Sequence, residues 1–435
     1  MDIRQLIDTS RMTAYQWSVI LIAGFINALD GYDLVAMAFS ANSVVADFSL
    51  SDTQLGWLLS SALVGVGFGS FVLSPLADRF GRKRLIVGAL AVNIAGLLLT
   101  AFADSYAQLL LWRIVTGISI GAILVSVTVV TSEFSNLRFR GLAMSIFSAG
   151  YGLGATMCGV LSASLIPDHG WQAVFLAGAI LGTAALVLTI LAVPESPEIL
   201  AARGDDTAVQ RLARRLHPVD GPVTVSPRAA TTNARLTEIL TPAFLRTTLL
   251  LWLAFALTNL AFYFVSQWTP RLLTAEGLTA QQGVLGGIML SFGSTIGALV
   301  FGALTTRFSA RSVLIGFAIL AAVSLALFMP STSVPGLMFA TGVAAGMLLS
   351  GCITGMYTIT PAAYPFPLRA TGVGAALGVA RLGAILGPVL VGYLLDSGWS
   401  PSSLYNGAVV VALAIAVTVA AIRTGSRIDA PSTVN

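Results

Sequence analysis

Residues 17–39 read WSVILIAGFINALDGYDLVAMAF, and this stretch decides how the rest of the chain is read. It is long enough to cross the ~30 Å hydrocarbon core of a bilayer as a helix, yet it carries Asp30 and Asp33. An ionisable residue inside a span costs roughly 2.5 to 3.5 kcal/mol on insertion scales, so it faces protein or water and is read as functional. Three residues apart, the two aspartates project from nearly the same helical face. Burial disfavours the charged form of a carboxylate, and a second carboxylate nearby disfavours it further. Such a pair is suited to loading and releasing a proton. The competing reading is that one aspartate merely pairs with a cation to fix helix packing.

Working outward, apolar runs of span length recur to the C-terminal end. Their expected positions are 17–39, 55–76, 85–103, 107–131, 141–165, 171–193, 247–269, 281–305, 312–330, 335–358, 371–395 and 403–422. Of the 435 residues 56% are hydrophobic and 10% charged, against roughly 25% charged in a soluble chain. The expectation is an all-α protein of the lipid bilayer with twelve transmembrane helices. Positive charge is retained in cytoplasmic loops. With the N-terminus inside, Arg271 alone of the 23 basic residues falls in an external connection, and Arg113 and Arg381 fall within spans. Both termini are therefore expected to be cytoplasmic, in a cell (inner) membrane. The net charge of +4 reflects this topology, and no nucleic-acid partner is expected. The first apolar run is too long for a cleavable signal peptide and lacks a small-residue cleavage site. Cys158 and Cys352 lie inside spans, away from any metal-ligand spacing, and His169 and His217 lie in loops. No nucleotide loop, metal cluster or nucleophile with a nearby base is visible, so neither cofactor nor enzyme activity is expected, and the chain is expected to work as a monomer.

Residues 198–246 form the one long polar stretch, with a short helix expected near Thr207 to Leu216. The stretch separates an expected N-terminal six-helix bundle, 1–197, from a C-terminal one, 247–435. Asp78-Arg79-Phe80 between spans 2 and 3 is echoed by Thr306-Arg307-Phe308 between spans 8 and 9. Gly88 is echoed by Gly316 at the same offset, and Gly117 and Gly121 by Gly342 and Gly346. Two such repeats about an axis along the membrane normal place a substrate site near the midplane. Gly150, Gly154 and Gly159, and Gly383, Gly387 and Gly392, have the spacing that lets helix backbones approach closely.

The loop Ser74-Pro75-Leu76-Ala77-Asp78-Arg79-Phe80-Gly81-Arg82-Lys83-Arg84 resembles the signature of the major facilitator superfamily, with Ser74 where Gly is usual. Arg113, Gly117 and Gly121 resemble that superfamily's helix 4 motif, and Pro194-Glu195-Ser196-Pro197 is also found there. Asp30-Gly31-Tyr32-Asp33, the run Tyr263 to Pro270 and the segment Arg381 to Pro388 resemble its aromatic acid:proton symporters. The resemblance implies two pseudo-symmetric six-helix bundles, secondary transport, and uptake of benzoate-like or hydroxybenzoate-like anions with protons. In the second loop copy Thr306 stands where an acid is frequent and Ser309 where Gly is, which implies a weaker charge-based gate there.

Arg113 and Arg381 balance the two aspartates. At about 1.5 Å per residue, Asp30 lies roughly 20 Å from the inner end of span 1 and Arg113 roughly 9 Å from the outer end of span 4. These depths are similar, so an ion pair between them is geometrically allowed. Arg381 lies near the midplane, and its planar fork suits a carboxylate bidentately. It is read as the substrate's anchor or as a partner of an aspartate. Arg113, Asn27, Tyr32, Tyr263, Gln267 and Trp268, with Trp112, Phe262 and Tyr357, are candidates to line the cavity and contact substrate, although aromatic residues also serve packing and interfaces. Asn27 and Asn259 suit a polar lining or an interhelical hydrogen bond equally. Asp78, Arg79, Gly81 and Arg82, together with Glu133, Arg138 and Arg140, are read as a cytoplasmic gate, with Arg369 as the second-half counterpart of Arg140.

The function expected is import of a small aromatic carboxylate with protons by alternating access. A sugar or aliphatic metabolite symporter stays open on Pro194 to Pro197. A drug:proton antiporter is disfavoured by Arg381 and by the lack of Pro within the span 5 glycine run. A receptor that binds without transporting lacks any appended signalling domain to speak for it.

Overall fold

The computed structural model describes residues 2–202, 205–216 and 236–422, excepting the side chains of Ser74, Pro75, Asp78, Ala202, Phe366 and Ala370. His217 and the side chain of the gate candidate Asp78 therefore lie outside the described residues. Among the described residues, twelve helices are long and apolar enough to cross a membrane. Spans 1 to 6 are Ala14–Phe48, Asp52–Val72, Arg82–Ala101, Tyr106–Glu133, Arg140–His169 and Gln172–Ala192. Spans 7 to 12 are Leu245–Ala275, Ala280–Thr305, Ala310–Phe328, Pro335–Ala362, Phe366–Asp396 and Pro401–Ala421.

Polar residues start these helices by satisfying first-turn N–H groups that have no helical partner. Ser105 accepts from the N–H of Gln108, and Thr279 forms a reciprocal capping box with Gln282. Gly81 joins the short helix Ser74–Phe80 to span 3 at φ 96°, a conformation a side chain would strain. The corresponding turn of the second half uses other chemistry: Ser309 has φ −64° and caps span 9 by accepting from the N–H of Ser312. Span 9 thus starts without a glycine at that turn.

The described residues fall into two compact units. One gathers those within Met1–Leu34, Val64–Met157 and Asp168–Ala230. Its core includes Leu90, Ile123, Val127 and Phe134, and two short helices add to it. The first, Ile3–Thr9, is capped by Asp2 and buries Ile3, Leu6 and Ile7, an i, i+3, i+4 stripe. The second, Asp206–Leu216, buries Val209, Leu212, Ala213 and Leu216. The expected helix near Thr207 to Leu216 is thus found, whereas the one at the N-terminus is additional.

The other unit gathers those within Val35–Leu63, Cys158–Pro167 and Thr231–Asn435. The C-terminal part of span 1 and the N-terminal part of span 2 therefore pack with spans 7 to 12. Ser60 donates to the carbonyl of Ile385 at 2.7 Å, and the carboxylate of Asp396 accepts the N–H groups of Asp52 and Thr53 at 3.1 and 2.9 Å. Arg271 reaches Asp52 at 3.5 Å and Asn42 at 3.3 Å.

Glycines set the closest crossings in both units. A Cβ on Gly154 would strike the carbonyl of Ala28, one on Gly150 that of Gly24, and one on Gly31 that of Tyr151, so spans 1 and 5 meet backbone to backbone. Gly383 meets Ala256 in the same way. Gly159 differs, because its neighbours are the side chains of Ile288 and Phe39.

Candidate functional site

Gly31 fixes span 1 against span 5, and the aspartates flanking it are both buried, Asp30 5% exposed and Asp33 1%. Asp33 is fully engaged. Its Oδ1 is ion-paired with Nη1 of Arg113, and its Oδ2 accepts from Nδ2 of Asn93 at 2.9 Å. Its main-chain carbonyl takes a further hydrogen bond from Nη2 of Arg113 at 2.8 Å. Arg113 is 1% exposed and lies 5.9 Å from the ring centroid of Phe175. Spans 1, 3, 4 and 6 thus enclose one charge pair. Asp30 is different: among the described residues its Oδ2 has no hydrogen-bond partner.

The depth argument matched Arg113 with Asp30, and the structure corrects it to Asp33. Span 1 runs from Ala14 to Phe48, beyond the apolar run on both sides, so the ends of that run do not fix a residue's depth. The two aspartates lie only three residues, about 4.5 Å, apart along the helix axis. Asn93 was not singled out, although an amide within an apolar run was the available signal.

Two of the cavity candidates make interhelical hydrogen bonds, for Asn27 one of the two roles its sequence position allowed. Asn27 donates to the carbonyl of Phe147 at 2.7 Å, linking spans 1 and 5, and the hydroxyl of Tyr32 donates to that of Val174 at 2.7 Å, linking spans 1 and 6. Asn259 donates within its own helix to Phe255. In the second unit Gln267 and Trp268 are buried, the indole of Trp268 donating to the carbonyl of Pro388 at 3.1 Å. Tyr263 packs edge-on against Phe262, and Tyr357, half exposed, does so against Phe255. Arg381 is partly buried in span 11 and has no hydrogen-bond or ion-pair partner among the described residues.

Among the gate candidates, Arg82 pairs with Glu133, both side chains 7% exposed, and Ser196 lies 3.4 Å from the same guanidinium. Arg140 was grouped with Glu133. It pairs instead with Asp8 of the N-terminal helix at 2.5 Å and donates to the carbonyl of Ser135 at 3.2 Å. The regrouping follows from that helix, which brings a carboxylate no span pattern announced. Arg79 is exposed over the ring of Phe80, Arg138 lies over that of Phe139, and Arg369 is partly buried. Among the described residues no group of three His, Cys, Asp or Glu is placed to hold a metal ion.

The family model described as Major Facilitator Superfamily matches residues 20–300 and 280–433. The chain belongs to the major facilitator superfamily. Relatives within it include the Gallate transporter of Pseudomonas putida, 33% identical over 91% of this chain and 89% of that one. The 4-hydroxybenzoate transporter PcaK of Pseudomonas aeruginosa is 32% identical over 92% and 91%. The 3-(3-hydroxy-phenyl)propionate transporter of Escherichia coli is 33% identical over 85% of each. Among solved structures, a D-xylose-proton symporter superposes with a TM-score of 0.75 at 16% identity over 97% of this chain and 99% of that one, a likeness of fold. The chain is therefore a multi-pass membrane transporter of this superfamily with homologues that carry aromatic acids.

Proposed function

We propose that the protein imports a small aromatic carboxylate together with protons by alternating access, from a position in the cell membrane with both termini cytoplasmic. The observation that carries this reading is Arg381, a guanidinium in the middle of a transmembrane helix with no partner among the described residues. It cannot shed its charge, and its fork donates to both oxygens of a carboxylate. The relatives, gallate, 4-hydroxybenzoate and 3-(3-hydroxy-phenyl)propionate transporters, agree with an anionic ring.

Asp30 carries the coupled proton in this reading. Asp33 has its donors already, whereas Oδ2 of Asp30 has no partner among the described residues, and a neutral carboxyl is far less costly to bury in that setting than a charged one. A negative interior opposes anion entry by about 2.3 kcal/mol per charge per 100 mV, and one proton per monoanion removes that opposition. The moving bodies are the six-span halves 1–197 and 247–435, joined by the linker 198–246. Rocking them breaks the bonds that tie Asn42, Asp52 and Ser60 to spans 7 and 11. Arg82, Glu133, Gly81 and Arg79 act at the cytoplasmic end as gate residues without touching substrate.

The test is uptake by purified protein in liposomes, with benzoates of varied hydroxylation beside an aliphatic acid, a sugar and a drug cation. Benzoate accumulation should rise under an inward proton gradient, and Asp30→Asn should remove that dependence while leaving substrate exchange. Preference for the sugar or the cation, or unaltered gradient-driven accumulation in Asp30→Asn, overturns the reading.

A further inference from the structure

We propose that Asn93 is a positioning residue that reserves Asp33 for Arg113 and thereby leaves Asp30 as the one of the two buried aspartates of span 1 that exchanges a proton. The proposal rests on the proton-coupled reading above and concerns how that coupling is kept to one site.

Both carboxylates are buried, three residues apart on one helix, and nothing in their chemistry distinguishes them. Their neighbours do. Span 4 supplies Arg113, which takes Oδ1 and the main-chain carbonyl of Asp33. Span 3 supplies Asn93, itself 6% exposed, which takes Oδ2. Span 6 presents the ring of Phe175 to the guanidinium, and the phenol of Tyr32 is committed to the carbonyl of Val174. Asp30, Asp33 and Arg113 are thus the charged groups here, and Asn93 is the neutral donor between them. Thr116 lies 3.4 Å from Nη1 of Arg113 on the same span and does not replace it.

An ionised carboxylate only accepts hydrogen bonds, whereas a protonated one must also donate. With Arg113 on one oxygen and the amide of Asn93 on the other, the ionised form of Asp33 has a donor on each oxygen, and a proton added to either oxygen weakens the bond made there. An amide suits this task because it carries no charge. A lysine there would overcompensate the aspartate, and a carboxylate would repel it. Without the amide, Oδ2 of Asp33 is open, and two neighbouring carboxylates compete for one proton. Such coupled sites no longer titrate as one assignable residue.

The experiment places the Asp30 substitution in two backgrounds, with gradient-driven accumulation and gradient-free counterflow of radiolabelled benzoate as paired readouts. In the native background Asp30→Asn is expected to abolish accumulation and keep counterflow. With Asn93→Leu, which is similar in size and has no donor, the double variant should regain gradient-driven accumulation at least about tenfold above Asp30→Asn alone. That factor corresponds to the loss of one hydrogen bond to a charged group. A residue that only fills space would not restore coupling. A double variant as uncoupled as Asp30→Asn overturns the proposal. Asn93→Ala is the second background, and failure of both backgrounds to give counterflow-competent protein also overturns it, because the amide then serves the fold. Asp30→Asn protein that remains coupled overturns the proton-carrier reading itself, a distinct outcome.

Discussion

Asp30 and Asp33 share one helical face but have opposite surroundings: Asp33 is held by Arg113 and Asn93, while Oδ2 of Asp30 meets no hydrogen-bond partner among the described residues. The difference translates into stability. Removing one member of a buried ion pair strands the other charge, at about 3 to 5 kcal/mol. Asp33→Asn and Arg113→Gln should each lower the melting temperature in detergent markedly. Asp30→Asn, which removes no ion pair, should leave it unchanged or raised. Equal losses for Asp30→Asn and Asp33→Asn would contradict the pairing.

The ion pairs of Arg82 and of Arg4 divide in the same manner by burial. Arg82 and Glu133 have side chains 7% exposed, whereas the Arg4–Glu198 pair has them 43% and 24% exposed. Glu133→Gln leaves a buried guanidinium and should cost about 3 to 5 kcal/mol. Glu198→Gln removes a solvated pair and should cost about 0 to 1 kcal/mol. Thermal melts of the two variants check the contrast, and similar melts would show that Arg82 finds another partner.

These contrasts mark what was legible in the sequence. The twelve spans were readable because bilayer thickness sets a length that apolar runs must meet, and Asp30, Asp33, Arg113 and Arg381 stood out because a charge in such a run is costly. Which aspartate met Arg113 was not readable, since a shift of one turn changes the partner and the run of apolar residues does not mark where the helix begins. Asn27 and Tyr32 turned out to tie helices together, as polar side chains in spans do whenever a neighbouring carbonyl is in reach. The helix Ile3–Thr9 was written in the cap Asp2 and the stripe of Ile3, Leu6 and Ile7. Seven residues are too few for such a signal to rise above chance, and only the core it covers stabilises it.

Arg381 should behave as the anion's anchor. Arg381→Gln is expected to weaken benzoate binding about tenfold or more, the worth of a charge-assisted hydrogen bond, while hardly changing the binding of neutral benzamide. Arg381→Lys should fall between, because an ammonium keeps the charge and loses the fork. Calorimetric titration of the purified protein with the two ligands is the measurement. A parallel loss for benzoate and benzamide would assign Arg381 to the fold.

The crossing of spans 1 and 5 makes a graded prediction from three glycines. A Cβ at Gly88 meets nothing within 4 Å, one at Gly159 meets the side chains of Ile288 and Phe39, and one at Gly154 meets the backbone carbonyl of Ala28. Replacement by Ala in open helix removes backbone freedom from the unfolded chain and gains up to about 1 kcal/mol. Against flexible side chains the gain is offset by repacking, and against backbone the helices must separate, with overpacking that costs about 1 to 3 kcal/mol. Gly88→Ala should therefore melt at or above the parent, Gly159→Ala slightly below it, and Gly154→Ala lowest. Transport should fall further than stability in Gly154→Ala alone, because Ala28 lies two residues before Asp30 and a displaced span 1 also carries Asp30 and Asp33 away from the groups on spans 3 and 4. Melting temperature and benzoate counterflow measured on the same preparations separate the two effects. Full counterflow in a Gly154→Ala protein with a depressed melt would show that the span 1 site tolerates movement of its own helix.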